Sequence, residues 1–374
     1  MLSARTSRFL DFAFIVAFAV LALLPILCFD FSSTVSEQEN RTLAPPPDVL
    51  SFSAFNAHVF ESVDAWLADR FGLRQPLITL ENRIQSSLFR SLVGEFATQG
   101  RENWFFFMGE NNLRDYLKLN RFSTGRLSAF ESRLVETATW CENNGFRVLF
   151  LVAPNKHSVY SEFHPLQRPA GPSRADQIAS LCSSLDIPLV YPLDALLNAK
   201  RDSEWPLYYE TDTHWNAIGA HVAAGEVIGV LHDMFPAVVF PSIVYQTNVV
   251  VRQSFGDLNG KSGRPDLPCT VPTVSPDPAT PGGACIYLKN GEGENSVVHT
   301  RSNNGNLPRA MVFRDSFFSL LEPFLSPMFS EAECIWHPFT DADKPHVLEF
   351  APDIVIFESV ERNAETIAGP VSFK

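Results

Sequence analysis

The chain predicts an α/β fold in which helices cover both faces of a parallel sheet. Three observations carry this reading. Apolar runs such as "RVLFLVAP" (Arg147–Pro154) and "DIVIFESV" (Asp353–Val360) are too continuous for a strand with one wet face. They alternate with stretches whose apolar residues recur every three or four positions, the helical spacing. Several of the runs end abruptly in polar residues, and the carboxyl ends of parallel strands are where ligands gather.

Taken in order, the chain opens on Arg5 and Arg8, followed by an uncharged run from Phe12 to Phe29. Eighteen helical residues span about 27 Å, close to the hydrocarbon thickness of a bilayer. Basic residues ahead of the run favour an N-terminus in the cytoplasm. Residues 1–30 therefore read as an N-terminal transmembrane helix that stays uncleaved, because no small-x-small cleavage site follows it. Residues 31–50 are a linker ending in "APPPDV", an extended proline spacer. Residues 51–374 read as the catalytic domain.

Within that domain, Phe60, Val63 and Leu67 mark one helix and Leu77, Leu80, Ile84 and Leu88 a second, separated by Gly72 and Pro76. "NWFFFMG" at 103–109 reads as a short buried strand. The helix at 126–145 ends at Gly145, a good C-cap. Strand 147–153 follows, then a helix at 174–185 and the strand-like "IPLVYP" at 187–192. The helix at 214–235 carries small residues along one side, suited to close packing on a sheet. "RAMVFRDS", "ECIWHP" and "DIVIFESV" supply three more strands, with the helix "FFSLLEPFLSPMF" between the first two. Residues 241–306 break the alternation. They are rich in Gly, Pro, Asn and Ser and read as an insertion of loops and antiparallel strands.

Composition excludes some functions. Hydrophobic residues make up 45% and charged residues 19%, the balance of a globular chain. The formal net charge of -13 argues against a nucleic-acid partner, which needs a basic surface. No Walker loop or GxGxxG joins a strand to a helix, so no cofactor is expected. Cys269 and Cys285 flank a proline-rich stretch and are the expected disulfide in an oxidising compartment.

Three segments place unusual polar residues at strand ends. "VAPNKHSVYSE" brings Asn155, Lys156, Tyr160 and Glu162; "TDTHW" brings Asp212, His214 and Trp215; "VFRDSFF" runs through Arg314 and Asp315 into Ser316. Ser316 as nucleophile needs a base. His214 is the best-placed candidate, with Asp212 two residues before it to hold the imidazole. Asn155 is the candidate donor to an oxyanion. A second reading stays open on local spacing alone: Ser316 caps the helix that follows it, and Thr211–Thr213 cap the helix after Trp215. His157 and His164 read as loop residues, His221 as packed or solvated, and Glu361 with Arg362 as a structural ion pair. A metallohydrolase built on Asp212, His214 and Asp315 is disfavoured, because no further ligand is evident, so no metal is expected.

The strings "TDTHWNAIGA", "APNKHSVYSE", "FRDSF" and "PDIVIFESVER", with "SEQENRTLAPPP" and "WLADRFGLRQPLI" upstream, resemble the alginate O-acetyltransferase family with its SGNH-hydrolase-like domain. The order matches over about Ser36 to Arg362. The resemblance implies a triad of Asp212, His214 and Ser316. Because the serine follows the histidine, it also implies a permuted order of the motifs of ordinary SGNH hydrolases. The expected activity is acetyl transfer from an acetyl-Ser316 to an exopolysaccharide hydroxyl. The implied partners are a multi-pass membrane O-acyltransferase as acetyl supplier and a polysaccharide acceptor. The implied place is the periplasmic face of the bacterial inner membrane. Departures are "GRENWFFF", where Asn103 stands for the family's glycine, and residues 245–305, which match nothing in it. An anchor with a lone catalytic domain resembles the membrane-tethered type rather than the secreted type with an added module. The competing functions are a carbohydrate acetyl esterase with the same triad and a non-catalytic polysaccharide-assembly protein.

Overall fold

Seven strands form the central sheet of the computed structural model, which describes residues 97–253, 255–262, 267–277, 285–290 and 296–370, together with 57–73 and shorter stretches nearer the start. The expected membrane run at Phe12–Phe29 is described in part, and there it is mostly helical, while the second helix expected at 77–88 lies outside the described residues apart from Leu77. Among those described, no helix is long and apolar enough to cross a membrane.

Helix α1 spans Ala57–Arg70. A small hairpin of β1 (Ala97–Gln99) and β2 (Phe105–Phe107) leads into α2 (Thr124–Asn143), β3 (Arg147–Ala153) and α3 (Arg174–Ser184). There follow β4 (Leu189–Val190), α4 (Leu193–Asp202) and α5 (Ala217–Met234). The region of the insertion holds β5 (Tyr245–Gln253), β6 (Pro268–Pro276), β7 (Cys285–Asn290) and β8 (Val297–Ser302). The last elements are β9 (Arg309–Phe313), α6 (Phe318–Leu325), β10 (Glu331–Ile335), α7 (Lys344–Phe350) and β11 (Ile354–Val360).

Across the sheet the order is β4-β3-β11-β9-β10-β8-β7. The first five strands are parallel; β8 pairs antiparallel with both β10 and β7. The sheet is therefore mixed rather than parallel. A parallel strand needs a crossover of a dozen residues, whereas β7 and β8 need only a short connection to reach the exposed edge.

The parallel strands are buried on both faces. Val148, Phe150 and Val152 of β3 join a cluster with Phe130, Leu134 and Ile178 of α2 and α3. Leu149, Leu151 and Ala153 face the other way, onto α5 and α6. Met311 and Phe313 alternate in the same manner with Ala310 and Val312 along β9. This double burial explains the uninterrupted apolar runs. On α5 the small stripe of Ala220, Ala223 and Ala224 lies fully buried against the sheet. Gly219 belongs to it for a steric reason: a Cβ there would sit 2.2 Å from the Leu207 carbonyl oxygen.

Some local expectations are corrected and others hold. His164 lies in a turn as expected, whereas His157 is helical; both are buried, with their rings in tilted or edge-on contact with Phe106 and Tyr116. His221 packs against the Tyr245 and Phe324 rings, in line with the expectation that it is packed or solvated. The helices α4 and α7 were not anticipated, because each is short and their apolar faces are narrow. Cys269 is a free thiol and is not bridged to Cys285. It points inward from β6 and donates to the Glu210 carboxylate at 3.2 Å, while Cys285 begins β7 in the other sheet.

Candidate active site

Three adjacent strand ends meet at one edge of the sheet. β3 runs into Asn155 and Lys156, β11 into Glu361 and Arg362, and β9 into Arg314, Asp315 and Ser316. Strand order here departs from chain order, which opens a crevice at the carboxyl ends.

The segment from Leu207 to Asn216 folds into a tight loop over this edge. The Asn216 N–H donates to Leu207 O, and Tyr208 bridges Trp215. The buried Trp215 Nε1 donates to Phe317 O at 3.0 Å, which ties the loop to the turn after β9. Ser316 and His214 are thereby brought together. His214 Nε2 lies 2.7 Å from Ser316 Oγ, and His214 Nδ1 lies 2.7 Å from Asp212 Oδ1. The network assigns the proton on Nδ1 to the carboxylate side, leaving Nε2 to accept from the serine hydroxyl. Asp212 also accepts the His214 N–H at 2.9 Å and the Asp257 N–H at 2.9 Å.

The capping alternative fails on geometry. Asn216 caps α5, accepting from the Ile218 and Gly219 N–H groups. Thr211 and Thr213 are turned instead to Phe255 O and the Asp257 carboxylate. The residue preceding α6 is Phe317, and no side chain caps that helix.

Electrostatics follow from the pairing. Burial opposes charge on both partners, yet the Asp212 carboxylate outweighs it and raises His214 above its usual 6.5. The His214 imidazolium and the hydrogen bonds around it likewise hold Asp212 below its usual range, against the effect of burial. A base works only when neutral. The acyl-transfer rate is therefore expected to fall as pH drops through an apparent value above 6.5, the ordinary histidine value. A pH–rate profile for acetate release checks this; a rate still undiminished at about pH 5 would remove His214 as base.

The remaining candidates occupy supporting positions. Asp315 Oδ1 accepts the Phe317 N–H at 2.8 Å and Oδ2 the Val360 N–H at 2.7 Å, so its carboxylate is spent on shaping the turn. With both oxygens so held, Asp315 does not join Asp212 and His214 in a cluster of ligand atoms. The carboxylates and imidazole that do cluster are Asp212, His214 and Asp257. Both Asp257 oxygens already accept from Thr213, and His214 Nδ1 is held by Asp212. This donor set is built for hydrogen bonds. Arg314 lies over the Trp336 ring and donates to Asp315 O and Ser319 Oγ. Lys156 is buried beneath the loop and reaches three of its carbonyls. Tyr160 does not enter the site: it stacks on Trp104 and accepts the Leu207 N–H. Glu162 pairs with Lys200 away from the site.

Asn155 is buried, and its Oδ1 accepts from Arg362 at 3.4 Å. Glu361 and Arg362 do not pair with each other. Glu361 accepts the Asn155 N–H and the Ser158 hydroxyl, and Arg362 meets Glu110 at 2.6 Å.

Sequence reasoning missed Gly256 and Asp257, which reach the site from the insertion. Gly256 has φ +96°, and a Cβ on it would lie 2.2 Å from Thr211 O, so only glycine fits. That approach lets Asp257 clamp Thr213 and donate to Asp212. The Gly-Asp pair is a turn signal, but nothing local says what the turn touches.

Fold and site together define an SGNH hydrolase-like α/β domain in which the serine turn after β9 faces a histidine–carboxylate loop. Residues 97–280 match the family model described as SGNH hydrolase-like domain, acetyltransferase AlgX. Over these residues, just under half of the chain, it is similar to the AlgX-type acetyltransferases, the alginate O-acetyltransferases that its motifs resemble. Asp212 and His214 lie inside the matched residues and Ser316 beyond them. Among solved structures, PatB1 of Bacillus cereus is 12% identical, with a TM-score of 0.54, over 73% of this chain and 98% of that one. A DHHW family protein from Eubacterium siraeum is 15% identical, with a TM-score of 0.51, over 76% and 98%. The O-acetyltransferase domain of Pseudomonas putida AlgJ is 16% identical, with a TM-score of 0.48, over 74% and 94%. No curated protein sequence matches the chain.

Proposed function

We propose that this acetyltransferase moves acetyl groups onto the hydroxyls of an exopolysaccharide, through an acetyl ester of Ser316. The observation that carries the proposal is the unbroken hydrogen-bond chain from Asp212 through His214 to Ser316 Oγ. In the first half-reaction Ser316 Oγ attacks the acetyl carbonyl of a donor ester while His214 Nε2 takes the hydroxyl proton. Asp212 holds the imidazole and stabilises the imidazolium. The tetrahedral intermediate collapses, and the donor oxygen leaves with the proton from His214. In the second half-reaction a sugar hydroxyl attacks the acetyl-serine with His214 again as base, and Ser316 is restored.

The developing oxyanion needs donors that are otherwise unused. The Ser316 N–H and Asn155 Nδ2 fit this need, since neither has a hydrogen-bond partner among the described residues. The Phe317 N–H does not, because Asp315 holds it.

Two further parts of the proposal come from sequence: a membrane anchor at 12–29 and placement of the domain in the periplasm. A multi-pass membrane O-acyltransferase is the proposed source of acetyl groups. The test offers purified full-length protein an acetyl ester donor with a polysaccharide acceptor. Acetyl esters on the polymer, absent with Ser316→Ala, are expected. Acetate released to water at the same rate with and without polymer would make the protein an esterase.

A further inference from the structure

We propose that Lys156 is a positioning residue for the reaction at Ser316, its buried ammonium gripping the Asp212–His214 loop from beneath; this rests on the triad reading above. Lys156 is 2% exposed, and its Nζ donates to the carbonyls of Tyr209 at 3.0 Å, Glu210 at 3.2 Å and Asp212 at 2.6 Å. An ammonium has three donors and no acceptor. All three are used, within four residues of chain, and the shortest bond goes to Asp212 itself. The Trp104 and Phe106 rings flank the ammonium at 5.7 and 5.5 Å.

No carboxylate touches Nζ. The titratable groups facing it are Asp212 and Glu210 of the loop, Asp257 of the insertion and the Cys269 thiol of β6. His157, beside it in the chain, is held neutral by burial. A buried cation without a direct counter-ion is costly, and what it gains here is a fixed set of loop carbonyls. Tyr208 Oη to Pro154 O and Trp215 Nε1 to Phe317 O also tie this loop down, but Lys156, just after β3, is the side chain that holds the Asp212 carbonyl itself.

Burial pushes Lys156 down to about 8, although the neighbouring acids pull it up. Above that pH Nζ has two donors and no charge, so one carbonyl is released and the loop loosens. The stability effect runs the other way. Between about 8 and 10.5 the unfolded chain binds this proton and the folded chain does not, so this group's contribution to stability rises with pH. Activity lost on that limb is then not loss of fold.

The experiment follows labelling of Ser316 by a sulfonyl fluoride from about pH 6 to about pH 10. It compares full-length wild type, Lys156→Arg, Lys156→Met and Ser316→Ala, with melting temperatures at each pH. Wild-type labelling is expected to fall above about pH 8 while the fold persists. Lys156→Arg, which stays charged, is expected to keep its rate on that limb. Lys156→Met is expected to label roughly 10- to 100-fold more slowly at every pH, with no alkaline limb. If the variants do not fold, the wild-type profile decides. A flat wild-type rate to about pH 10, or Lys156→Met labelling with the wild-type rate and profile, overturns the proposal alone. Wild type that never labels at Ser316 overturns the triad reading and this proposal with it.

Discussion

Alanine at Ser316, His214 or Asp212 is expected to lower acetyl transfer by about 10⁴-fold or more, with little change in melting temperature. Ser316 supplies the attacking oxygen, and without a base its hydroxyl is a weak nucleophile. His214 is the base within reach at 2.7 Å, and Asp212 keeps its proton on the far nitrogen. The three losses should not add, since each removes the same unit. Removing a helix cap would instead cost about 1 kcal/mol of stability and leave the chemistry alone. The measurement is acetyl transfer by the single, double and triple variants, each with a melting curve. A Ser316→Ala protein at wild-type rate would remove Ser316 as the nucleophile, whereas no transfer by the wild type would leave the assembly-protein function standing.

The second large effect is expected at Asp315, on stability and activity together. Its carboxylate holds the N–H groups of Phe317 and Val360, which join the nucleophile turn to the end of β11. Beneath it Glu358 accepts the Asp315 N–H, and burial together with the Asp315 charge pushes the Glu358 acid well above its usual range. Asp315→Ala strands two backbone donors at about 1–3 kcal/mol each if no water replaces the carboxylate. Ser316 lies next in the chain, so its hydroxyl shifts against His214, and a displacement of about 1 Å costs roughly 10²-fold in rate. Asp315→Asn keeps one acceptor oxygen and should fall between. Denaturant unfolding and acetate release on the same samples check this. An Asp315→Ala protein with unchanged unfolding midpoint and unchanged rate would show that the turn holds its shape without the carboxylate.

Much of this site was legible before folding. Asp212 and His214 stand two residues apart in a short polar loop, and Ser316 sits where an apolar strand gives way to a helix; both are local signals. The roles of the flanking residues were not legible. Lys156 and Tyr160 stand four positions apart and read alike, yet one grips the triad loop and the other packs on Trp104. Which way each points depends on the packing of the β1–β2 hairpin, and no local pattern encodes that. Asp257 was invisible because its partner, Thr213, lies 44 residues away. Cys269 misled for a related reason: nearness in sequence to Cys285 suggested a bridge, but the two cysteines enter different sheets.

The sequence by itself determined the layered α/β class, because strands buried on both faces must be continuously apolar and their covering helices must repeat every three or four residues. It also determined which side chains were available at the strand ends. Tertiary structure alone decided that the sheet is mixed, that Asn216 rather than a threonine caps α5, and that His214 meets a serine 102 residues further on. Local propensity acts over a few residues. Strand order is chosen by burying whole faces at once, and that choice set β3, β11 and β9 side by side and brought their ends to one site.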